Sequence, residues 1–303
     1  MVSYPTSRED TAVDERLTVA SVARRLGVAP STLRTWDRRY GLGPTEHQAG
    51  EHRRYCPEDL GRLTLMRRLI SAGVAPAEAA HEAKAHRGKV EIETILDRCR
   101  NGSEVTDALY RATNSLDRAL VETLIRKEIE DHGLISAWQE VIVPVLIMVG
   151  KDWQVTGKGV EIEHLLTEVL KRVMREDIAQ VKNPINSRPV LLASVGEELH
   201  SLALHALAAA LAERSIETHF LGARTPLEAL AGMVTRCAPP AIFLWAQMSE
   251  NGDPKFFQEI PTVRPAPRII LGGPGWNRDQ CQGVVFADGL EMACEEIARA
   301  VGS

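Results

Sequence analysis

Residues 17–69, LTVASVARRLGVAPSTLRTWDRRYGLGPTEHQAGEHRRYCPEDLGRLTLMRRL, decide how this 303-residue chain is read. Val19, Val22, Ala23 and Leu26 stand at i, i+3, i+4 and i+7, the spacing of an amphipathic helix, and Gly27 suits its C-terminus. After Ala29, Pro30 and Ser31 open a second helix. That helix turns Leu33 and Trp36 inward and leaves Ser31, Thr32, Arg34, Arg38 and Arg39 outside. Two short helices in this order form a helix-turn-helix, whose second helix can enter a major groove of double-stranded DNA. A Gly/Pro-rich segment comes next and ends in Glu51, His52, Arg53, Arg54 and Tyr55, which predicts a short β wing. Pro57-Glu58-Asp59-Leu60 opens a further helix.

Charge separates this stretch from the rest. Residues 16–70 hold eleven arginines and five acids, a net of +6. The whole chain is −5, so the remainder carries −11. A basic module on an acidic body fits phosphate binding by one part only. The composition, 44% hydrophobic and 25% charged, is that of an ordinary globular chain. No uninterrupted apolar run reads as a membrane span. The opening MVSYPTSREDTAVDER is polar and acidic, unlike a signal peptide, and predicts a disordered arm over 1–15. Cys56, Cys99, Cys237, Cys281 and Cys294 contain no CxxC pair. They read as reduced thiols of a cytoplasmic protein, not a disulfide framework or a zinc site.

The middle of the chain is helical in pattern. Helices are predicted over 91–100, 106–112, 115–132, 135–153 and 161–181, separated by Gly102, Gly133 and Gly157-Lys158-Gly159. They suffice for a four- or five-helix bundle. Trp153 is followed after nine residues by Glu163-His164 at the start of the last helix. Local chemistry alone also fits a partly buried Trp and an acidic first turn that suits the helix dipole.

From Pro189 the pattern alternates. Apolar strands are predicted over 189–194, 216–222, 241–245, 268–273 and 283–286, with helices over 199–213, from Thr225 and over 292–301. Alternating strands and helices imply a doubly wound parallel sheet of flavodoxin-like type, whose ligands sit beyond the carboxyl ends of the strands. Those ends carry Glu198 and His200 after the first strand and Gly272-Gly273 after the fourth. His200 suits a ligand, and Glu198 suits the carboxylate that orients such an imidazole. Without a GxGxxG spacing, Gly272-Gly273 is a weak phosphate signal. The fold expected is therefore multidomain: an arm over 1–15, an all-α winged helix-turn-helix head over 16–86, a helical bundle over 90–182 and an α/β domain over 187–303.

The helix-turn-helix, the Arg-Arg-Tyr wing and the Pro-Glu-Asp-Leu helix start resemble the MerR family of transcription regulators. The resemblance implies DNA contact by a dimer, through Arg34, Arg38 and Tyr40 on the recognition helix. It implies that Arg53, Arg54 and Tyr55 on the wing hold phosphate. The helical bundle, the Glu-x-His after the first strand and the Gly-Gly after a later one resemble cobalamin-binding domains with a helical cap. The combination is similar to the CarH/LitR light-dependent repressors. That resemblance implies adenosylcobalamin as cofactor, with Trp153, Glu163 and His164 over its upper face. It further implies Glu198, His200, Gly272 and Gly273 below, His200 being the lower axial ligand of cobalt, and a homo-oligomer, dimer or tetramer, with no membrane partner.

Three residues depart from the pattern. Ala203 stands where cobalamin motifs place a glycine, Trp245 where they place a serine, and Gln154 where light-responsive relatives place a histidine. Three functions are thus open: a DNA-binding regulator, most plainly a repressor, that senses a cobalamin by changing its assembly; a MerR-type regulator whose cobalamin-like domain binds another ligand or none; and a corrinoid-dependent enzyme or methyl carrier. The helix-turn-helix and the lack of a further catalytic domain speak against the third.

Overall fold

The computed structural model describes residues 16–46, 52–86 and 102–302. The expected arm, the helix expected over 91–100 and Glu51 lie outside the described residues. The chain divides into two compact units, Met1–Leu120 and Val121–Ser303.

In the first unit, strand β1 (Leu17–Thr18) precedes α1 (Val19–Leu26), and α2 (Pro30–Tyr40) comes next. Thr18 caps α1 by accepting the Ser21 N–H at 3.2 Å. Gly27 closes it with φ 64°, the left-handed conformation that glycine adopts without penalty. The wing contributes β2 (Arg54–Tyr55), which pairs antiparallel with β1, Leu17 opposite Tyr55 and Thr18 opposite Arg54. The wing is thereby tied to the segment that enters the first helix. Helix α3 (Pro57–Ser71) starts at the expected Pro57. Asp59 is buried there and accepts N–H groups from Cys56 at 3.1 Å and Thr45 at 3.2 Å. Val22, Leu26, Leu33, Trp36, Leu63, Met66 and Leu69 fill the core. Helices α4 (Pro76–Ala85) and α5 (Gly102–Asn114) pack against α3. Helix α5, predicted over 106–112 as part of the bundle, belongs to this first compact unit. Buried Arg67 and half-buried Arg68 both reach the buried carboxylate of Asp117, Arg68 Nε at 2.8 Å.

In the second unit, α6 (Arg118–Ser136) continues from the boundary and breaks at Gly133, which has φ 78° and ψ 160°. A π-helical turn, Ala137–Ile142, leads into α7 (Val143–Thr156), and α8 (Val160–Ile178) returns. The stretch Arg118–Thr156 has the length and composition of a membrane-crossing helix, but it is broken at Gly133 and is not an uninterrupted apolar run. Ala137, Val141, Ile142, Val145 and Val149 on it are buried, and other apolar side chains on it wall the cavity described below.

Five parallel strands form the sheet: β3 (Val190–Val195), β4 (Thr218–Thr225), β5 (Ala241–Trp245), β6 (Arg268–Gly272) and β7 (Val285–Ala287). Their order is β4-β3-β5-β6-β7, the 2-1-3-4-5 order of a flavodoxin-like sheet. Strand β3 is buried along its length, as a covered parallel strand should be. Helix α9 (Leu202–Glu213) starts three residues later than its pattern predicts. Two polar side chains hold the intervening loop: Glu198 Oε1 accepts the His200 N–H at 2.9 Å, and Ser194 Oγ donates to the His200 carbonyl at 3.1 Å. Helices α10 (Leu227–Cys237), α11 (Lys255–Gln258) and α12 (Leu290–Val301) complete the domain.

Candidate functional site

In the head, α2 carries its apolar side inward through Leu33 and Trp36. Ser31, Arg34, Arg38 and Arg39 are exposed, and Thr32 and Tyr40 are half-buried, Tyr40 against the core. Arg34, Arg38 and Arg39 form no ion pair among the described residues. The three guanidinium groups form a cationic face on one helix, suited to phosphate and base edges. The wing residues divide. Arg54 is exposed and donates to the Arg16 carbonyl at 3.5 Å. Arg53 binds Asp37 on α2 through Nε and Nη2, each at 3.0 Å. Its first task is therefore to lock the wing onto the recognition helix.

Tyr55 corrects the expectation of a phosphate contact. It is 1% exposed, in the core of the head. Strand alternation explains it: β2 is two residues long, and with Arg54 outward its neighbour must point inward. Burial, with Asp37 next, pushes its phenol pKa up, and its Oη has no hydrogen-bond partner among the described residues.

A cavity of about 970 Å³ opens in the second unit, between α7, the preceding π turn and α8 on one side and the carboxyl ends of the sheet on the other. Trp138, Val143, Leu146 and Ile147 make an apolar wall, with Glu163, His164 and Lys171 beside it. His200, Ala203, Trp245 and Gly273 line the sheet side. Glu163, His164 and His200 are thus brought to one cavity. Trp153 is not: it is 46% exposed and no part of the lining, against the expectation that it covers a ligand. It sits in the last turn of α7 among exposed residues, Gln154 included, and the glycines at 157 and 159 turn the chain away.

The floor is built around Glu198, which is fully buried. Its Oε1 lies 2.5 Å from His200 Nδ1 and accepts the His200 N–H. Its Oε2 accepts the N–H groups of Gln247 at 2.8 Å and Met248 at 2.9 Å, and Asn251 Nδ2 at 3.2 Å. Burial opposes the charge of this carboxyl, but the His200 and Met248 N–H groups, the His200 ring and the Gln247 N–H outweigh it and hold its pKa at about 2. A carboxylate can only accept, so Nδ1 is the donor of this pair and Nε2 is the ring nitrogen left for another partner, on a side chain 61% exposed.

Gly272 and Gly273 have a structural reason of their own. A Cβ on Gly272 would stand 2.3 Å from the Phe243 ring, and one on Gly273, at φ 95°, would stand 2.2 Å from the Ala246 carbonyl oxygen. Gly272 is buried beneath the floor, and only Gly273 reaches the cavity. Ala203 and Trp245 both line it, so the two departures face the ligand space directly. The Trp245 Nε1 is buried without a hydrogen-bond partner among the described residues.

Residues 17–85 match the MerR HTH family regulatory protein, and residues 105–176 match the B12 binding domain. The chain joins a MerR helix-turn-helix domain to a B12-binding domain. It is a DNA-binding transcription regulator. The regulator is 27% identical to the HTH-type transcriptional repressor CarH of Myxococcus xanthus, over 94% of each chain. It is 25% identical to the repressor CarA of the same organism, over 86% of this chain and 87% of that one. Both relatives are repressors and not enzymes. Among solved structures, the regulator is similar to the Methanosarcina barkeri monomethylamine corrinoid protein, at 15% identity and TM-score 0.47, over 64% of this chain and 97% of that one.

Sequence reasoning missed Trp138, Ser194, Lys171 and Arg278 as neighbours of the site. Ser194 was readable only as a strand residue; its role depends on the register that sets it beside Trp245. Trp138 carried no motif, and its place depends on a π turn that periodicity does not announce.

Proposed function

We propose that the regulator binds adenosylcobalamin in this cavity, and that the state of the ligand sets its hold on an operator in double-stranded DNA. The Glu198–His200 pair carries the proposal: a buried carboxylate holds an imidazole so that its Nε2 faces a large cavity. Imidazole is a sound ligand for cobalt, and a carboxylate behind it raises its donor strength. The apolar wall of Trp138, Val143, Leu146 and Ile147 suits the face of a broad ring, and Glu163, His164 and Lys171 offer polar contacts to its edge. When bound, the cofactor would supply a cobalt–carbon bond that can be broken. His200 would hold the metal, and the apolar wall of Trp138, Val143, Leu146 and Ile147 would exclude water. An amide at Gln154 is a poor cobalt ligand, so a second imidazole from that position is not part of the mechanism.

The output is a change in DNA binding. A MerR-type head meets two half-sites with two copies, so affinity depends on how protomers assemble as a homo-oligomer, dimer or tetramer. A ligand that binds one assembly better shifts the population toward it. Repression fits the names of the relatives, and a cytoplasmic setting follows from a genomic operator. The test is an absorption spectrum after mixing the protein with adenosylcobalamin in the dark and desalting. Corrinoid bands that stay with the parent protein and shift or vanish in His200→Ala support the proposal; a parent protein that emerges colourless contradicts it.

One observation favours a second function. Trp245 occupies part of the cavity wall where a small side chain would leave space, and Ala203 adds a methyl group nearby. A regulator with this floor partly filled would bind a smaller ligand or none. Trp245→Ser separates the two: corrinoid retention gained only in the variant would favour the closed pocket.

A further inference from the structure

The loop that carries His200 is pinned from strand β3 by one buried hydroxyl. We infer that Ser194 is a positioning residue for His200, setting where the imidazole Nε2 stands in the cavity; the inference rests on the cobalamin proposal for the identity of the ligand.

Ser194 is out of character in its strand. β3 reads Val-Leu-Leu-Ala-Ser-Val, buried throughout, and Ser194 is its one polar side chain. Leu191, Ala193 and Val195 pack into one apolar cluster, so strand alternation turns Ser194 to the other face. An alanine would fill nearly the same space with no hydroxyl to satisfy, and burying a hydroxyl costs free energy unless it is hydrogen-bonded. The Ser194 Oγ finds its partner by donating to the His200 carbonyl at 3.1 Å.

His200 needs a second hold. Its N–H and its ring Nδ1 both donate to the same atom, Glu198 Oε1, at 2.9 and 2.5 Å. Two bonds that converge on one oxygen leave the residue free to pivot about it. The neighbours are tied elsewhere. The Glu198 N–H donates to the Val195 carbonyl, and its carbonyl accepts the Arg224 N–H. The Ser201 carbonyl accepts the His205 N–H and, at 2.9 Å, His205 Nδ1. Leu199 is 67% exposed, and α9 starts at Ser201 without a side-chain cap. Among the described residues, the Ser194 bond is the one hold on the His200 backbone that does not run through Glu198. It stops the pivot, and so fixes the direction of the ring, as groups behind a metal ligand do.

The experiment compares the full chain with Ser194→Ala, and Ser194→Thr with Ser194→Val, a pair of equal bulk that differs in the hydroxyl. In the free protein, nitrogen-15 spectra of labelled histidines report the His200 tautomer at mildly alkaline pH, where imidazole is neutral. Loss of the signal in His200→Ala assigns it. The parent and Ser194→Thr are expected to keep the proton on Nδ1, and Ser194→Ala and Ser194→Val to average the two tautomers. Titrated with cob(II)alamin, the Ala and Val variants are expected to bind about tenfold more weakly and to lose part of the histidine-nitrogen splitting in electron paramagnetic resonance. Ser194→Ala should still melt within about 4 °C of the parent. A serine that only supports the fold would move the melting temperature and leave tautomer and splitting alone. Ser194→Ala with the tautomer and affinity of the parent, or Thr and Val variants that behave alike, overturns the inference and leaves the cobalamin proposal standing. A parent that retains no corrinoid overturns that proposal, and the tautomer spectra of the free protein then decide the role of Ser194.

Discussion

Glu198 shows how much one side chain organises. It is buried and charged, and its two oxygens gather N–H groups from His200, Gln247 and Met248 and the amide of Asn251. Glu198→Gln would turn an NH2 toward donors that need an acceptor. It is expected to cost about 2 kcal/mol of stability and to cut corrinoid retention, as checked by urea unfolding and by desalting. Glu198 and His200 were legible in the sequence as a pair after a strand. The other donors were not, because they come from a loop about fifty residues away. The second residue-scale case is Asp117, bound by Arg67 and Arg68. Burial opposes its charge, but the Arg68 hydrogen bonds and the two guanidinium charges prevail and depress its pKa. A depressed carboxyl stabilises the fold above its unfolded value near 4 and loses that contribution as pH falls through the folded value. Urea unfolding followed at pH 7 and pH 3 should show the parent losing more stability on acidification than Asp117→Asn does. The variant should already be weaker at pH 7, by about 3 kcal/mol, because two largely buried cations lose their partner. Equal acid sensitivity in both proteins would remove Asp117 from this role.

At the scale of elements, the helix-turn-helix was the most legible part, because periodicity, Gly27 at the first helix end and Pro30 at the second helix start all agree. The wing was legible as an element but not in its parts. Arg53 and Tyr55 turned out to hold the head together, one on Asp37 and one in the core. The two arginines should therefore differ when replaced by alanine. Arg54→Ala is expected to weaken binding to all DNA sequences and to lower the salt slope by about one. Arg53→Ala should in addition lower the melting temperature of the free protein, since Asp37 loses its partner. Identical behaviour of the two variants would count against the division. The Gly-Gly loop after β6 makes a similar point. Gly272→Ala should destabilise the sheet domain by about 1–3 kcal/mol, because its methyl would meet the Phe243 ring. A melting curve unchanged from the parent would return that glycine to a ligand role.

For the whole molecule, the sequence separated a basic head from an acidic remainder, and head and sheet both have the architecture so predicted. The sheet order follows from alternating apolar strands and helices, since right-handed crossovers leave few choices. The bundle was harder. The sequence marked the break at Gly133, but not the π turn after it or the compact unit to which α5 belongs. Trp153 was assigned to the ligand by the family resemblance and is not among the lining residues, whereas Trp138 is. The central claim is that His200 holds cobalt from below. Its most direct measurement is the electron paramagnetic resonance spectrum of the protein loaded with cob(II)alamin, with its histidines labelled by nitrogen-15. The account predicts that the superhyperfine splitting changes from the triplet of an unlabelled sample to a doublet, and that the doublet is absent in His200→Ala. A triplet that persists in the labelled parent would show that no protein imidazole binds the metal, and would contradict the account.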